Sequence, residues 1–152
     1  MKRISFIILI SGILLFLLIN RWVDYKAKEL TDVLHAEDII DVSYTYVPQG
    51  SDQFENKELG NPQALKELLE FLSQYQVKKT GLRDFESQYP DEQLNLHFIY
   101  EDGIPTYSSL FERDVVLVVL TGENQYKVIN GPLDQEWVEE FKKKYLMGGN
   151  GQ

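Results

Sequence analysis

LNLHFIYEDGIPTYSSLFERDVVLVVLTGENQYKVI, residues 94–129, decides the fold of this chain. In Leu94 to Glu101, Leu94, Leu96, Phe98 and Tyr100 alternate with Asn95, His97 and Ile99, the period of two that marks a strand with one buried face. Asp102-Gly103 is a two-residue hairpin signal. It leads to a second strand over Ile104 to Phe111, which Pro105 pushes toward a sheet edge because proline has no N–H for a ladder. Val115 to Leu120 is apolar on both faces and reads as a central strand, and TGENQ turns it into Tyr126 to Ile129. Connections this short make neighbouring strands antiparallel.

Elements outside this stretch supply the second layer. Upstream, Asn61 is placed to cap a helix, Pro62 fits its first position, and Leu65, Leu68, Leu69 and Leu72 form one stripe at helical spacing. Downstream, Asp134 can cap a helix with Leu133 and Val138 as a hydrophobic staple. Glu136, Glu139 and Glu140 lie toward its start, Lys142 to Lys144 at its end, and Trp137, Val138, Phe141 and Tyr145 supply the buried side.

Ile39 to Val47 alternates again, with Ile40, Val42, Tyr44 and Tyr46 on one face, and Pro48 to Asp52 ends it. Val77 to Gln93 holds Gly81, Pro90 and many charges and reads as a long loop with a short edge strand at its start. The order β-α-β-β-β-β-α predicts an α+β domain over residues 38–147. It is an antiparallel sheet of four to five strands with two helices on one face, followed by a disordered tail over 148–152.

The other end of the chain is of a different kind. Ile4 to Ile19 is interrupted only by Ser5, Ser11 and Gly12 and carries no charge. As a helix it rises about 24 Å, or about 30 Å if carried to Val23, enough for a bilayer, with Arg21 snorkelling and Trp22 at headgroup level. The competing reading is a cleavable signal, but Leu18-Ile19-Asn20-Arg21-Trp22 lacks the small residues of a cutting site, so an uncleaved anchor over residues 1–23 is expected. Val23 to Ala36, with Leu30, Val33 and Leu34 loosely spaced, reads as a juxtamembrane stalk over 24–37. Lys2 and Arg3 on one side nearly balance Arg21, Lys26 and Lys28 on the other; the preferred topology places the domain outside the cytoplasm.

Composition narrows the functional classes. The chain has 152 residues, no cysteine and a net charge of -9; without Lys2, Arg3 and Arg21 the remainder has 12 basic against 24 acidic residues. Disulfides, thiolate metal sites and a cysteine nucleophile are excluded, and a surface so acidic repels phosphate backbones, so no nucleic-acid partner is expected.

The N-terminal apolar segment, DIIDVSYTYV, NPQALKELLEFL, DVVLVVLTGENQYKVI and EWVEEFKKKYL together resemble small exported, membrane-attached proteins of Gram-positive, Bacillus-type bacteria, a family of unknown function. The resemblance covers Glu37 to Leu146 in element order. It implies a domain on the outer face of the cell membrane and supplies no catalytic residues. Members of that kind often carry a lipid-modified cysteine, which this chain lacks.

No stretch carries a catalytic signature. His97 should point away from the helix-covered face as an ordinary strand histidine, and His35 is too distant in sequence to form a metal motif with it. Ser108 and Ser109 are the most exposed-looking hydroxyls, but no nucleophile elbow surrounds them. Ser51 to Glu58 and Phe85 to Glu92 are acidic without the spacing of a calcium loop. No cofactor is called for.

What remains is a set of aromatic residues, of which Phe85, Tyr89, Tyr107 and Phe111 are the candidate partner contacts, with the Val77 to Gln93 loop as the favoured surface. The expectation is a membrane-tethered extracytoplasmic binding domain without catalysis, held in the lipid bilayer through residues 4–23 and engaging a protein or cell-envelope partner. The alternative is a small hydrolase or divalent-cation-dependent enzyme whose residues lie far apart in sequence.

Overall fold

The computed structural model describes residues 2–46, 55–80, 86–89, 92–101, 107–119 and 123–146. Helix α1 (Lys2–Tyr25) is followed by β1 (Lys28–Glu29), the single-turn α2 (Leu30–Val33), a 3₁₀ turn and β2 (Ile39–Tyr46). Next come β3 (Glu55–Glu58), α3 (Pro62–Leu72), β4 (Gln76–Lys79) and β5 (Leu94–Tyr100). Then follow β6 (Tyr107–Glu112), β7 (Val115–Val119), β8 (Glu123–Val128) and α4 (Gln135–Phe141), which continues as a π turn over Lys142–Leu146.

The strands form one antiparallel sheet in the order β1-β4-β8-β7-β6-β5-β2-β3, so the class is α+β as the sequence indicates. Among the described residues the sheet has eight strands rather than four to five. The three added to the β-α-β-β-β-β-α order are short: β4, expected as an edge strand, pairs instead with both β1 and β8, β1 has two residues, and β3 has the sequence ENKE, which no propensity marks as a strand. β1 and β3 lie at the outer edges, where pairing to one neighbour suffices and charged side chains discourage further strands from adding on.

One face of the sheet carries the core. Val42, Phe98, Leu96, Phe111, Val116 and Val128 lie on it, packed against Leu68, Phe71 and Leu72 of α3 and Val138 and Phe141 of α4. Asn61 caps α3, its Oδ1 accepting from the amides of Gln63 (3.0 Å) and Ala64 (3.2 Å). Asp134 caps α4 by accepting from Trp137 N–H at 3.1 Å, and the staple pair Leu133 and Val138 is buried. The two helices meet through an aromatic stack in which the Phe71 and Trp137 rings lie 3.7 Å apart and 3° from parallel. Tyrosine hydroxyls tie the layers: Tyr44 donates to the Leu146 carbonyl (2.7 Å), Tyr100 donates to that of Leu34 (2.6 Å), and Tyr75 accepts from Asp134 N–H (3.0 Å).

Several expectations change in three dimensions. Residues 24–37 are not a stalk: α1 stops at Tyr25, β1 pairs Lys28 with Val77, and Leu30 and Leu34 are fully buried. The domain therefore starts at Lys28, because this segment's apolar residues close one end of the core. Strand β6 is interior, between β5 and β7, and not at an edge. Its described residues run from Tyr107 to Glu112. Pro105, the Asp102-Gly103 signal and the tail over 148–152 lie outside the described residues.

Ile40 is 57% exposed while Ile39 takes the core position, because the β2–β5 register shifts between Ile39 and Asp41. The buried stripe of α3 runs through Ala64, Leu68, Phe71 and Leu72, leaving Leu65 and Leu69 on its flank. Phe71, the largest apolar side chain on the helix, turns the stripe toward α4.

Helix α1 stands apart from this packing. Its described side chains begin at Leu9, and those of Leu14 to Ile19 each expose half or more of their surface. Among the described residues, no helix is long and apolar enough to cross a membrane. The apolar run in the sequence starts earlier, at Ile4, and the full helix is 24 residues long.

Candidate functional site

The richest polar cluster lies on the second face of the sheet, where β6 turns into β7. Phe111 points into the core, so the alternation of β6 places Glu112 on the opposite side, against Ser87, Gln88, Tyr89 and Gln93. The carboxylate is 4% exposed and surrounded by donors. Its Oε2 accepts from Ser87 Oγ (2.7 Å) and Gln93 Nε2 (2.9 Å), and its Oε1 accepts from the amides of Gln88 (2.9 Å) and Tyr89 (3.0 Å). Burial pushes the Glu112 pKa up, but these hydrogen bonds together outweigh it and hold the carboxyl below its ordinary value.

Arg113 completes the clasp. It sits in a two-residue turn with φ 49, the left-handed region that a residue with a Cβ occupies at a cost of about 1–2 kcal/mol. Its Nε and Nη2 fork onto the two oxygens of Glu92 at 2.5 and 2.8 Å, and the guanidinium carbon lies 3.6 Å from the centre of the Tyr89 ring. The hydrogen bond between them raises the Arg113 pKa and lowers that of Glu92. A carboxylate saturated by donors and an arginine committed to a carboxylate have no proton to exchange with a substrate. They fix a loop and present Tyr89.

The predicted contact residues distribute unevenly around this cluster. Tyr89 is 39% exposed with one ring face taken by Arg113. Phe111 is 2% exposed and packs edge-on to Phe98 with ring centres 6.4 Å apart, so it is a core residue and leaves the contact surface. Tyr107 begins β6, and its side chain, like Phe85 as a whole, lies outside the described residues. Sequence alternation alone could have placed Phe111 inward and Glu112 outward. Nothing in the sequence announces that Ser87, Gln93 and Glu92 converge on this turn.

His97 lies on the second face, as its place in the alternation of β5 predicts, opposite Ser43 and Ser108 in the ladder. Its Nε2 meets Thr45 Oγ1 at 2.8 Å, and that hydroxyl also reaches Asn56 Oδ1 at 2.8 Å. Burial lowers the His97 pKa. A threonine hydroxyl does not polarise an imidazole as a carboxylate does, so this trio has no activated base. Ser109 is fully buried in the core rather than exposed, and its Oγ has no partner among the described residues.

A groove of about 670 Å³ between β2 and α3 is lined by apolar Ile40, Leu65 and Leu69 and by charged Asp41, Lys66 and Glu70. It exists because the bulge turns Ile40 outward beside the flank of α3. Among the described residues, no group of three or more His, Asp or Glu side chains is arranged to hold a metal ion. Compared with protein-family models, curated proteins and solved structures, the chain matches none.

Proposed function

We propose that this chain is a membrane-tethered binding domain. Helix α1 crosses the lipid bilayer through residues 4–23 and holds the α+β domain on the extracytoplasmic side of the cell membrane, where it engages a protein or envelope component without catalysis. The observation that carries this reading is the exposure of Leu14 to Ile19, each at 50% or more. Six consecutive residues at 100° spacing go all the way round a helix, and a helix apolar on every side belongs in an apolar medium. Leaving them half exposed in water forfeits on the order of 5–10 kcal/mol, comparable to the whole stability of a domain.

Lys2 and Arg3 ahead of the apolar run have the arrangement of an export signal, in agreement with the outward side and with the resemblance to small exported Gram-positive proteins. The saturated clasp at Glu112 and Arg113, and the absence of a carboxylate in the described contacts of His97, favour binding over chemistry. The test is fractionation with alkaline carbonate, combined with a reporter active only outside the cytoplasm and fused after Gln152. Full-length protein remaining in the pellet with an active reporter is expected. Release into the supernatant as a shortened chain sinks the tether, and an inactive reporter on a pelleted protein sinks the topology.

A further inference from the structure

Lys26 and Ala27 connect helix α1 to β1, so Tyr25 and Lys28 are three steps of chain, at most about 11 Å, apart. The β1 strand is thus held close to the end of the apolar helix, and α1 touches β4 directly. Apart from Lys142 to Lys144 after α4, this junction is where the acidic chain places several cations together. Lys26 lies in the connector, Lys28 in β1, Lys78 and Lys79 in β4, and Arg21 on the last turns of α1.

Lys26 and Lys78 are exposed, and Lys28 and Lys79 are half-buried. Among the described residues none of these four lysines forms an ion pair; the only acids beside them in sequence are Asp24 and Glu29. Lys28 shares the face of Val77 and Lys79, whereas Lys78 lies on the other, so positive charge flanks the edge on both sides.

The opposite edge of the sheet is β3, where Glu55 and Glu58 outnumber Lys57, and seven interstrand spacings put it about 33 Å away. The two edges therefore differ in charge: the β1–β4 side, with Lys26, Lys28, Lys78 and Lys79 against Asp24 and Glu29, is net positive, and β3 is net negative by one. Anionic surface potential decays over a Debye length of about 8 Å at physiological salt, a distance comparable to the span of the connector. Trp22 and Tyr25 occupy the interfacial positions between helix and connector.

We infer that the β1–β4 edge is a docking surface for anionic phospholipid headgroups, holding the domain upright against the bilayer with its acidic far end outward. The inference rests on the tethered reading above and adds to it a defined face and a lipid class. The anchor alone would insert into any bilayer; the edge adds a dependence on lipid charge and on salt.

The chain has no cysteine, so Gln76→Cys, exposed on β4 beside Lys78, takes a single environment-sensitive fluorophore. Full-length labelled protein is reconstituted into vesicles of phosphatidylcholine alone or with about one-third phosphatidylglycerol, and both flotation and emission are read. The expected result is flotation with both vesicles, with a blue shift and protection from aqueous quencher only in the anionic ones. The shift should disappear in 0.5 M salt and in Lys78→Glu/Lys79→Glu. Lys26→Glu, outside every strand and helix, should weaken it without touching the sheet.

Flotation with both vesicles but identical emission overturns the docking edge and leaves the tether standing. Failure to float with either vesicle overturns both readings. An emission shift equally strong in neutral vesicles assigns the contact to apolar insertion and overturns the electrostatic one.

Discussion

The Arg113 guanidinium lies 3.6 Å from the centre of the Tyr89 ring, on the turn that follows the buried Glu112. The end of β6 and the turn after it therefore hold both backbone and side chains among residues 86–89, 92 and 93. Glu112, the last residue of β6, holds the amides of Gln88 and Tyr89, and Arg113 in the turn holds the Tyr89 ring and Glu92. This makes the surface around Tyr89 a rigid one, and rigidity lowers the entropic cost of binding a partner there.

Replacing Glu112 by alanine should release that loop. Two backbone amides and two side-chain donors lose their acceptor, at an expected cost of about 2–3 kcal/mol. Urea unfolding reads the loss, and amide exchange at Gln88 and Tyr89 should accelerate more than exchange in β5. Unchanged exchange at these two amides would show that the clasp does not hold the loop. The pH dependence has a definite sign. Glu112 titrates below its ordinary 4.5 in the fold, so its contribution is complete above that value and is lost as pH falls through the folded pKa. The stability difference between the wild type and Glu112→Gln should accordingly shrink on acidification.

His97 works in a different window. Its pKa in the fold is held below the ordinary 6.5 by burial, so as pH falls past 6.5 the unfolded chain takes up a proton before the folded one does. Stability should decline from pH 6.5 down to the folded pKa. His97→Gln, which can still bond Thr45, should flatten that part of the profile, and identical slopes in the two proteins would refute the assignment.

Ser109 is a fully buried hydroxyl with no partner among the described residues, placed between Leu96 and Val118 in the sheet. A buried group that gives up water for nothing weakens the fold, so Ser109→Ala should raise stability by about 1 kcal/mol. A lower melting temperature for this variant would reveal an acceptor or donor the hydroxyl does use.

Phe71 carries the contact between the two helices, stacked on Trp137 and edge-on to Tyr75 at 5.1 Å. Phe71→Ala leaves a cavity at the centre of this cluster and should cost about 3–5 kcal/mol, with Phe71→Leu well short of that. The chain has two tryptophans, and Trp22 lies outside the packed domain. A change in tryptophan emission on Phe71 substitution therefore reports on Trp137. Equal stabilities for the two variants would place the load elsewhere.

Much of the fold was legible where local physics is strong. The alternation of Leu94, Leu96, Phe98 and Tyr100 fixed a half-buried strand, and Asn61 and Asp134 marked helix starts because their side chains satisfy otherwise orphaned amides. The doubly apolar VVLVV became an interior strand, since only a strand covered on both faces can use Val116, Leu117 and Val118 together.

The candidate site was hardly legible at all. Glu112 and Arg113 look like an ordinary charged turn, and their meaning comes from Ser87, Glu92 and Gln93, whose positions are set by how a loop crosses the sheet. Phe111 is the exception: its alternation with Glu112 points it inward, but an aromatic near a strand end also suits a surface, and only its packing against Phe98 decides.

By itself, the sequence determined the antiparallel α+β character, the two amphipathic helices, the acidic charge and the apolar leader, because each follows from residue type and spacing within a dozen positions. Only the tertiary structure decided that ENKE and Lys28–Glu29 are strands, that residues 24–37 belong to the core, and that cations from β1 and β4 meet at the helix junction. Those outcomes depend on which distant backbone supplies a hydrogen-bonding edge or an apolar surface, and pairing energy of that kind resides in no single segment.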